Sequence, residues 1–476
     1  MAASLTQIDP REAWQPASPK VWDLKWAGHL YRRGGFGVPP KASADDARPA
    51  WERLQSALKR GQRDSVEQLL AGGSGQKPFD TLMDAVGGRI AEMKPERFGS
   101  NRLERLQGWW LYRMLHSPHP LLERCTLFWH DHFATSFAKV SKLDLMFGQN
   151  RLLRRHALGK FEPFLQAVSR DPAMLVWLDS SKNVKGKPNE NYAREIMELF
   201  SLGVGNYSER DIREAARAFT GWATFNGRYE FIATQHDDGT KTVLGQTGKL
   251  NGDDVVRILM KQPACARFLV GKLFAEFISE TERPPEKLLA PLVERFRKSN
   301  YDVRDCVATM LWSNLFFSRH AYRARIKSPV EFVVATLAAF DARVGQESLA
   351  LAMQGMGQEL FAPPSVKGWD GGKAWLNTAT LLARHNFAAK LLGGHDRSLR
   401  ADIRPAGAAV KYAAHKTPAA QVDFLVQLLL QGDVDPRVKS RLAAHATTKQ
   451  PAGKEHDTRL REVAHAIMTL PEYQLA

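Results

Sequence analysis

The sequence predicts a mainly α-helical, multi-helix globular protein with one small β-hairpin inserted near residues 228–245. Three observations carry that expectation. Apolar residues return every three to four positions along most of the chain, the period of an amphipathic helix. Hydrophobic residues make up 44% and charged residues 25%, an ordinary globular balance that can bury a large interior. One tract breaks the helical period: RYEFIATQ, HDDG and TKTVLG read as two short extended runs about an Asp238-Gly239 turn.

In chain order, the period predicts helices over 51–70, 103–116, 121–134, 143–158, 190–202, 209–220, 253–280, 286–298 and 302–317. Further helices follow over 329–343, 347–356, 374–391, 419–431 and 457–470, with Gly, Pro and Asn between them. No fixed-period repeat is visible. Residues 1–25 read as an N-terminal extension and 26–391 as the main helical domain. Residues 392–418, rich in Gly, Pro and charge, read as a surface excursion, and 419–476 as a C-terminal helical segment packed on the main domain.

Sixty-seven Lys and Arg against 51 Asp and Glu leave a net charge of +16, which attracts anionic ligands. The basic residues are scattered, and no zinc-finger spacing, interleaved basic and aromatic pattern or basic heptad helix appears, so nucleic acid is disfavoured. Cys125, Cys265 and Cys306 are far apart and read as buried apolar residues, not as a metal or disulfide framework. The first 25 residues lack the features of a secretory leader, so the chain as written is expected in the cytoplasm. No apolar run reaches the roughly 18 residues a membrane-spanning helix needs.

The most informative segment is KPNENYAREIMELFSLG, with Asn189 as its N-cap and Gly203 as its terminator. On a helix, Tyr192, Ile196, Leu199 and Phe200 share an apolar side, while Asn191, Arg194, Glu195 and Glu198 fall on the other. That polar side is either a solvated surface tied by an Arg194–Glu198 pair, worth roughly 0.3–0.5 kcal/mol, or half of a site. In FWHDHFATS, His130 and His132 are metal ligands, proton carriers or hydrogen-bonded core residues; on one helix their rings point to opposite faces. At the hairpin tip, turn chemistry explains Asp238 and Gly239 but leaves His236, Asp237 and Lys241 over. In PPSVKGWDGGKAWLN, Trp369, Trp375 and Asn377 either wedge a loop down or form a binding platform. The GGFG of residues 34–37 has neither the ending nor the setting of a nucleotide loop.

FWHDHFATS, NENYAREIMELFSLGVGNYSERDIREAARAFTGW, HDDGTKTVLG, ARIKSPVE and PPSVKGWDGGKAWLNTATLLARHNF resemble, in that order, the hallmark blocks of the bacterial domain-of-unknown-function family 1800. The resemblance runs from about residue 25 to the terminal PEYQLA. It implies no activity, since the family has none established. It does imply relatives that are often exported and encoded beside sulfatase-like or alkaline-phosphatase-like proteins, hence a periplasmic or extracellular alternative to the cytoplasm. Asp131 stands where the family usually has Asn, and no export signal is visible.

Two expectations follow. The first is a metal-dependent enzyme, a hydrolase before any other class, acting on an anionic or envelope-associated substrate. In it His130, His132, Glu195, Glu198, His236 and Asp237 hold a divalent Mn, Fe or Zn ion. Glu195, Arg194 and Lys241 carry the chemistry, and Asn191, Trp369, Trp375 and Asn377 bind substrate. The second is a non-catalytic helical scaffold or adaptor that docks an acidic partner, such as a sulfatase-like or phosphatase-like protein.

Overall fold

Cap residues and prolines set where the helices begin in the computed structural model, which describes residues 4–43, 46–93, 102–342, 344–393, 403, 405–412, 417–448 and 453–476. The helices that matter for the site are α1 (Leu24–Arg33), α2 (Arg102–His116), α3 (Pro120–His132), α4 (Leu143–His156), α5 (Asn191–Glu198) and α6 (Glu209–Ala218). They continue with α7 (Gly252–Lys261), α8 (Pro263–Phe277), α9 (Glu286–Lys298), α10 (Pro329–Ala339), α11 (Thr378–Gly393) and α12 (Pro418–Leu430). α3, α8, α10 and α12 start on a proline, whose fixed φ suits a first helical turn and whose missing N–H costs nothing there. α6, α7 and α10 carry reciprocal capping boxes, from Ser208 with Asp211, Asn251 with Asp254, and Ser328 with Glu331.

Two helices expected to be continuous are broken. The 51–70 run divides at Gly61, whose φ of 90° only glycine adopts without strain. The 253–280 run divides between α7 and α8, where Gln262 is extended (φ −74°, ψ 131°) because Pro263 disfavours a helical residue before it.

The inserted β element is two ribbons, not one. β1 (Trp222–Phe225) pairs with β2 (Arg228–Phe231), and β3 (Lys241–Val243) with β4 (Gln246–Gly248), each antiparallel. Asn226-Gly227 and Leu244-Gly245 make the turns with both residues at positive φ, the pattern of a two-residue hairpin loop. Asp238-Gly239 lies in the connection between ribbons, where the Asp237 carboxylate accepts the Gly239 N–H at 2.9 Å.

The interior holds two apolar clusters. One gathers Trp129 and Phe133 with Phe161, Phe164, Phe200 and Phe274; the other gathers Trp109 and Trp110 with Val333, Leu337, Leu425 and Met468. α3 lies between them, giving Cys125 and Trp129 to the first and Leu127 to the second. Each such side chain stabilises the fold by about 1.5–3 kcal/mol of transfer energy before entropy is counted. Every residue of α10 is buried, so this helix has no polar face to betray its orientation in the sequence.

The three cysteines are free and buried, and burial pushes their thiols far up in pKa. Leu5 and Ala13 of the N-terminal tract join the first cluster, and Trp14 Nε1 donates to Leu288 O at 2.7 Å. Much of 392–418 lies outside the described residues; a helix at Pro405–Tyr412 lies within them. Among the described residues no helix is long and apolar enough to cross a membrane.

Candidate functional site

α3 ends at Phe133 (φ −100°, ψ 48°), one residue after its second histidine, so the HDH triplet forms the last turn of a buried helix. The rings of His130 and His132 point to different sides, as their 200° separation requires. His130 Nε2 accepts the Phe361 N–H at 3.0 Å, which places its proton on Nδ1. Its ring meets Trp110 edge-on at 5.1 Å and lies 5.7 Å from Trp369. His132 Nε2 faces Phe200 O at 3.1 Å and must donate, leaving Nδ1 to accept from Lys272 Nζ at 3.2 Å. Burial lowers both pKa values, His130 to about 3 and His132, with help from the Lys272 charge, well below its usual value. Both imidazoles are therefore neutral at physiological pH, with Nε2 of His130 and both ring nitrogens of His132 committed to neighbours within the fold.

Between them, Asp131 anchors a loop. Its Oδ1 accepts the Trp369 N–H at 2.8 Å. Gly368 has φ +86°, and a Cβ built there would stand 2.3 Å from that same oxygen, so only glycine permits the contact. Burial pushes the Asp131 carboxyl up to about 6, against the Trp369 N–H and Lys272, which favour its charged form.

α8 supplies the next layer. Lys272, Glu276 and Glu280 recur every four residues along α8 and the chain just beyond it. Glu276 ion-pairs with Arg124 at 2.6 Å and Arg325 at 3.0 Å. Glu331 pairs with the same two guanidiniums at 2.5 Å and 3.5 Å. Burial alone would raise the Glu331 carboxyl, yet Arg124 and Arg325 hold it down at about 2. Arg33 closes the network from α1, donating to Ile278 O at 2.8 Å and Ala321 O at 2.7 Å. The HDH, ARIKSPVE and KGWDGG segments thus meet around one end of α8.

On the solvent side of Lys272 opens a groove of about 1150 Å³, walled by α8, α9 and the chain between them. Its carboxylates are occupied. Glu280 accepts the Ile326 N–H at 2.6 Å, Glu282 accepts from Ser4 Oγ at 2.6 Å, and Glu286 pairs with Arg267 at 3.2 Å. Lys272 is half-buried and donates only to the neutral His132; burial lowers its pKa and Asp131 opposes that. Arg283 and Lys287 line the same groove, are exposed, and have no ion-pair partner among the described residues.

The acidic helix expected to face this centre has other partners. Asn189 Oδ1 accepts the Asn191 N–H at 3.0 Å, but Glu190 is the N-cap, without a side-chain bond, and the helix stops at Glu198 with Leu199 as its C-cap, short of Gly203 (φ 79°), so neither end falls on the residue the sequence suggested. Arg194 bonds Glu209 with both η nitrogens at 2.9 Å and 2.8 Å and Glu190 at 3.2 Å, in place of the Glu198 pair the spacing suggested. Glu198 accepts from Tyr207 Oη at 2.5 Å. Glu195 is half-buried, and its pKa is raised by burial and then by Glu198, against Arg194. Asn191 is exposed.

The ribbon connection forms a third locality. His236 Nδ1 donates to Thr220 O at 2.9 Å. Arg217 grips Asp237 at 2.8 Å and 3.2 Å and holds its carboxyl at about 2. Lys241 is 1% exposed, and its ammonium donates to Asp237 O and, at 3.0 Å, to Gly239 O, fixing the connection. Trp375 is buried, and Asn377 caps α11 through a reciprocal pair of 3.0 Å bonds with Thr380. Among the described residues, no three or more His, Cys, Asp or Glu side chains are arranged to hold a metal ion.

Of the residues singled out in the sequence, the structure brings His130, His132 and Trp369 together around Asp131. Glu195 and Glu198 stand side by side on α5, and His236, Asp237 and Lys241 gather at the ribbons. Lys272, Glu276, Arg124, Arg325 and Glu331 were not singled out. A family model described as "Protein of unknown function (DUF1800)" matches residues 29–475. No curated protein and no solved structure matches the chain.

Proposed function

Because the chain belongs to the DUF1800 family, whose description names no activity, we propose a function from the geometry: a non-catalytic adaptor whose groove docks an acidic segment of a partner protein. One observation carries this reading. Every carboxylate lining the groove is engaged by donors of the protein itself, while Lys272, Arg283 and Lys287 keep charge to offer. The chain's net +16 draws the same class of partner from a distance. A sulfatase-like or phosphatase-like protein with an acidic surface segment is the partner we put forward, in the cytoplasm or in the envelope. Asp131, His130 and the Arg124–Arg325–Glu276–Glu331 network serve here to hold α8 and the loop at Trp369 in register.

The metal-dependent hydrolase expected first, with His130, His132, Glu195, Glu198, His236 and Asp237 as ligands, keeps the half-buried Glu195–Glu198 pair on α5; among the described residues no group of three or more His, Cys, Asp or Glu is arranged to hold a metal ion. The adaptor reading is tested with a fluorescent oligoglutamate peptide. Each exposed charge contributes roughly 0.3–1 kcal/mol, so Arg283→Gln with Lys287→Gln should weaken binding about 3- to 30-fold at low salt and by less at high salt. Equal affinity in wild type and double variant, or affinity for heparin with none for oligoglutamate, overturns the proposal.

A further inference from the structure

Lys327, in the ARIKSPVE segment, takes no part in the groove. It is 4% exposed, and its ammonium lies 3.9 Å above the Tyr473 ring, a contact that is attractive when the amine is charged. Facing it from α1 is Arg32, 8% exposed. A partly open cavity of about 20 Å³ is lined by both, with Gln431, the Tyr473 ring and apolar side chains, and has no carboxylate in its lining. Arg32 spends Nη1 on the Gln431 side-chain oxygen, and its Nε and Nη2 are buried without an acceptor. Arg384 adds a third cation, donating from Nη2 to Lys327 O at 2.7 Å and leaving its own Nε unpaired.

Positive charge outweighs negative here: Asp433, outside the cavity lining, favours the charged form of Arg32 but also pairs with Arg323 and Lys25, each at 3.5 Å. Burial, then Arg32, Arg384 and Arg323 drive the proton off Lys327, and only Glu331 resists. Glu331 is already shared by Arg124 and Arg325. Buried cations without a counter-charge are strongly disfavoured, and buried donors without acceptors add to the cost. The space suffices for one particle of about a water's size, for which roughly 10–15 Å³ is needed. A water there could accept from these donors, but the one side-chain oxygen of an amide in the lining, that of Gln431, is already used by Arg32. A species that only accepts fits all of the donors.

We propose that the cavity between Arg32 and Lys327 is a binding site for a small inorganic monoanion of the halide class, accepting from Arg32 Nε and Nη2 and from Lys327 Nζ. The anion completes the charge balance where α1, α10 and the C-terminal Tyr473 meet, and so locks the chain's end onto its core. The site is independent of the groove.

The test is a crystal of the full chain soaked in sodium bromide, with anomalous diffraction locating the ion. A bromide peak within hydrogen-bonding distance of both Arg32 and Lys327 is expected; an ordered water there, or no peak, overturns the proposal. In solution, replacing gluconate by chloride at constant ionic strength should raise the wild-type melting temperature by about 1–2 °C per tenfold chloride, from mass action and the unfolding entropy of a chain this size. Lys327→Met should abolish the chloride-specific part of that rise. A wild-type melting temperature indifferent to the anion counts against the site whether or not the variant folds.

Discussion

Asp131→Asn separates the charge of this side chain from its role as an acceptor. Asn keeps an oxygen for the Trp369 N–H, bonded at 2.8 Å in the wild type, but cannot ionise. The Asp131 carboxyl is pushed from 3.8 up to about 6, mainly by burial. A raised carboxyl costs the folded state nothing at low pH, where both states are protonated. As pH rises from about 4 to about 6 the unfolded chain ionises first, so wild-type stability falls, and above about 6 the deficit is constant. Two units correspond to about 3 kcal/mol, reduced to roughly 1–3 kcal/mol because the side chain retains some contact with solvent. At about 2.1 cal/mol/K of unfolding entropy per residue, 1 kcal/mol moves the melting temperature of a chain this long by about 1 °C. Differential scanning calorimetry of both proteins from pH 4 to 7.5 should therefore show the Asn variant gaining about 1–3 °C on the wild type between pH 4 and 6, then running parallel. A difference independent of pH, or a wild type that gains on the variant as pH rises, would refute the argument.

Gly368→Ala forces a side chain into left-handed backbone and against the Asp131 carboxylate. Strain of roughly 1–2 kcal/mol plus a lost hydrogen bond predicts a loss of about 2–4 kcal/mol, with altered Trp369 fluorescence, and a loss under 1 kcal/mol would contradict the close contact. Glu123 lies wholly buried between Arg113 at 3.0 Å and Arg154 at 2.8 Å. Burial would raise its carboxyl, but the two guanidiniums hold it at about 2. Its contribution is therefore present above pH 4.5 and lost as pH falls toward 2. Glu123→Gln should cost about 3–5 kcal/mol at pH 7, measured by thermal unfolding, and progressively less under acid.

What the sequence reveals follows from how local each cause is. The opposed rings of His130 and His132 and the buried cysteines depend on neighbours in the chain and were legible, whereas the helix expected to run from Asn189 to Gly203 stops at Glu198. The hairpin turns were local too, but Asp238-Gly239 was weighed where Asn226-Gly227 carried the matching signal. The breaks at Gly61 and Pro263 had their breaker residues in plain view, overridden by an unbroken apolar period. The α8 charges left a trace: Lys272, Glu276 and Glu280 return every four residues through an otherwise apolar stretch, the mark of polar groups with partners inside the protein. The partners of Glu276, Arg124 and Arg325, lie about 150 and 50 positions away, and no period or cap points across that distance. Ser328-Pro329-Val330-Glu331 forms a capping box, a local pattern that accounts for the glutamate without any sign of its pairing with Arg124.

Carbodiimide cross-linking of an oligoglutamate peptide to the intact protein, mapped by mass spectrometry, reads out where an acidic partner sits. Links concentrated on Lys272 and Lys287, and suppressed by salt, are the expected result. Links spread over lysines in proportion to their exposure, with half-buried Lys272 spared, would show that the groove is not the docking surface.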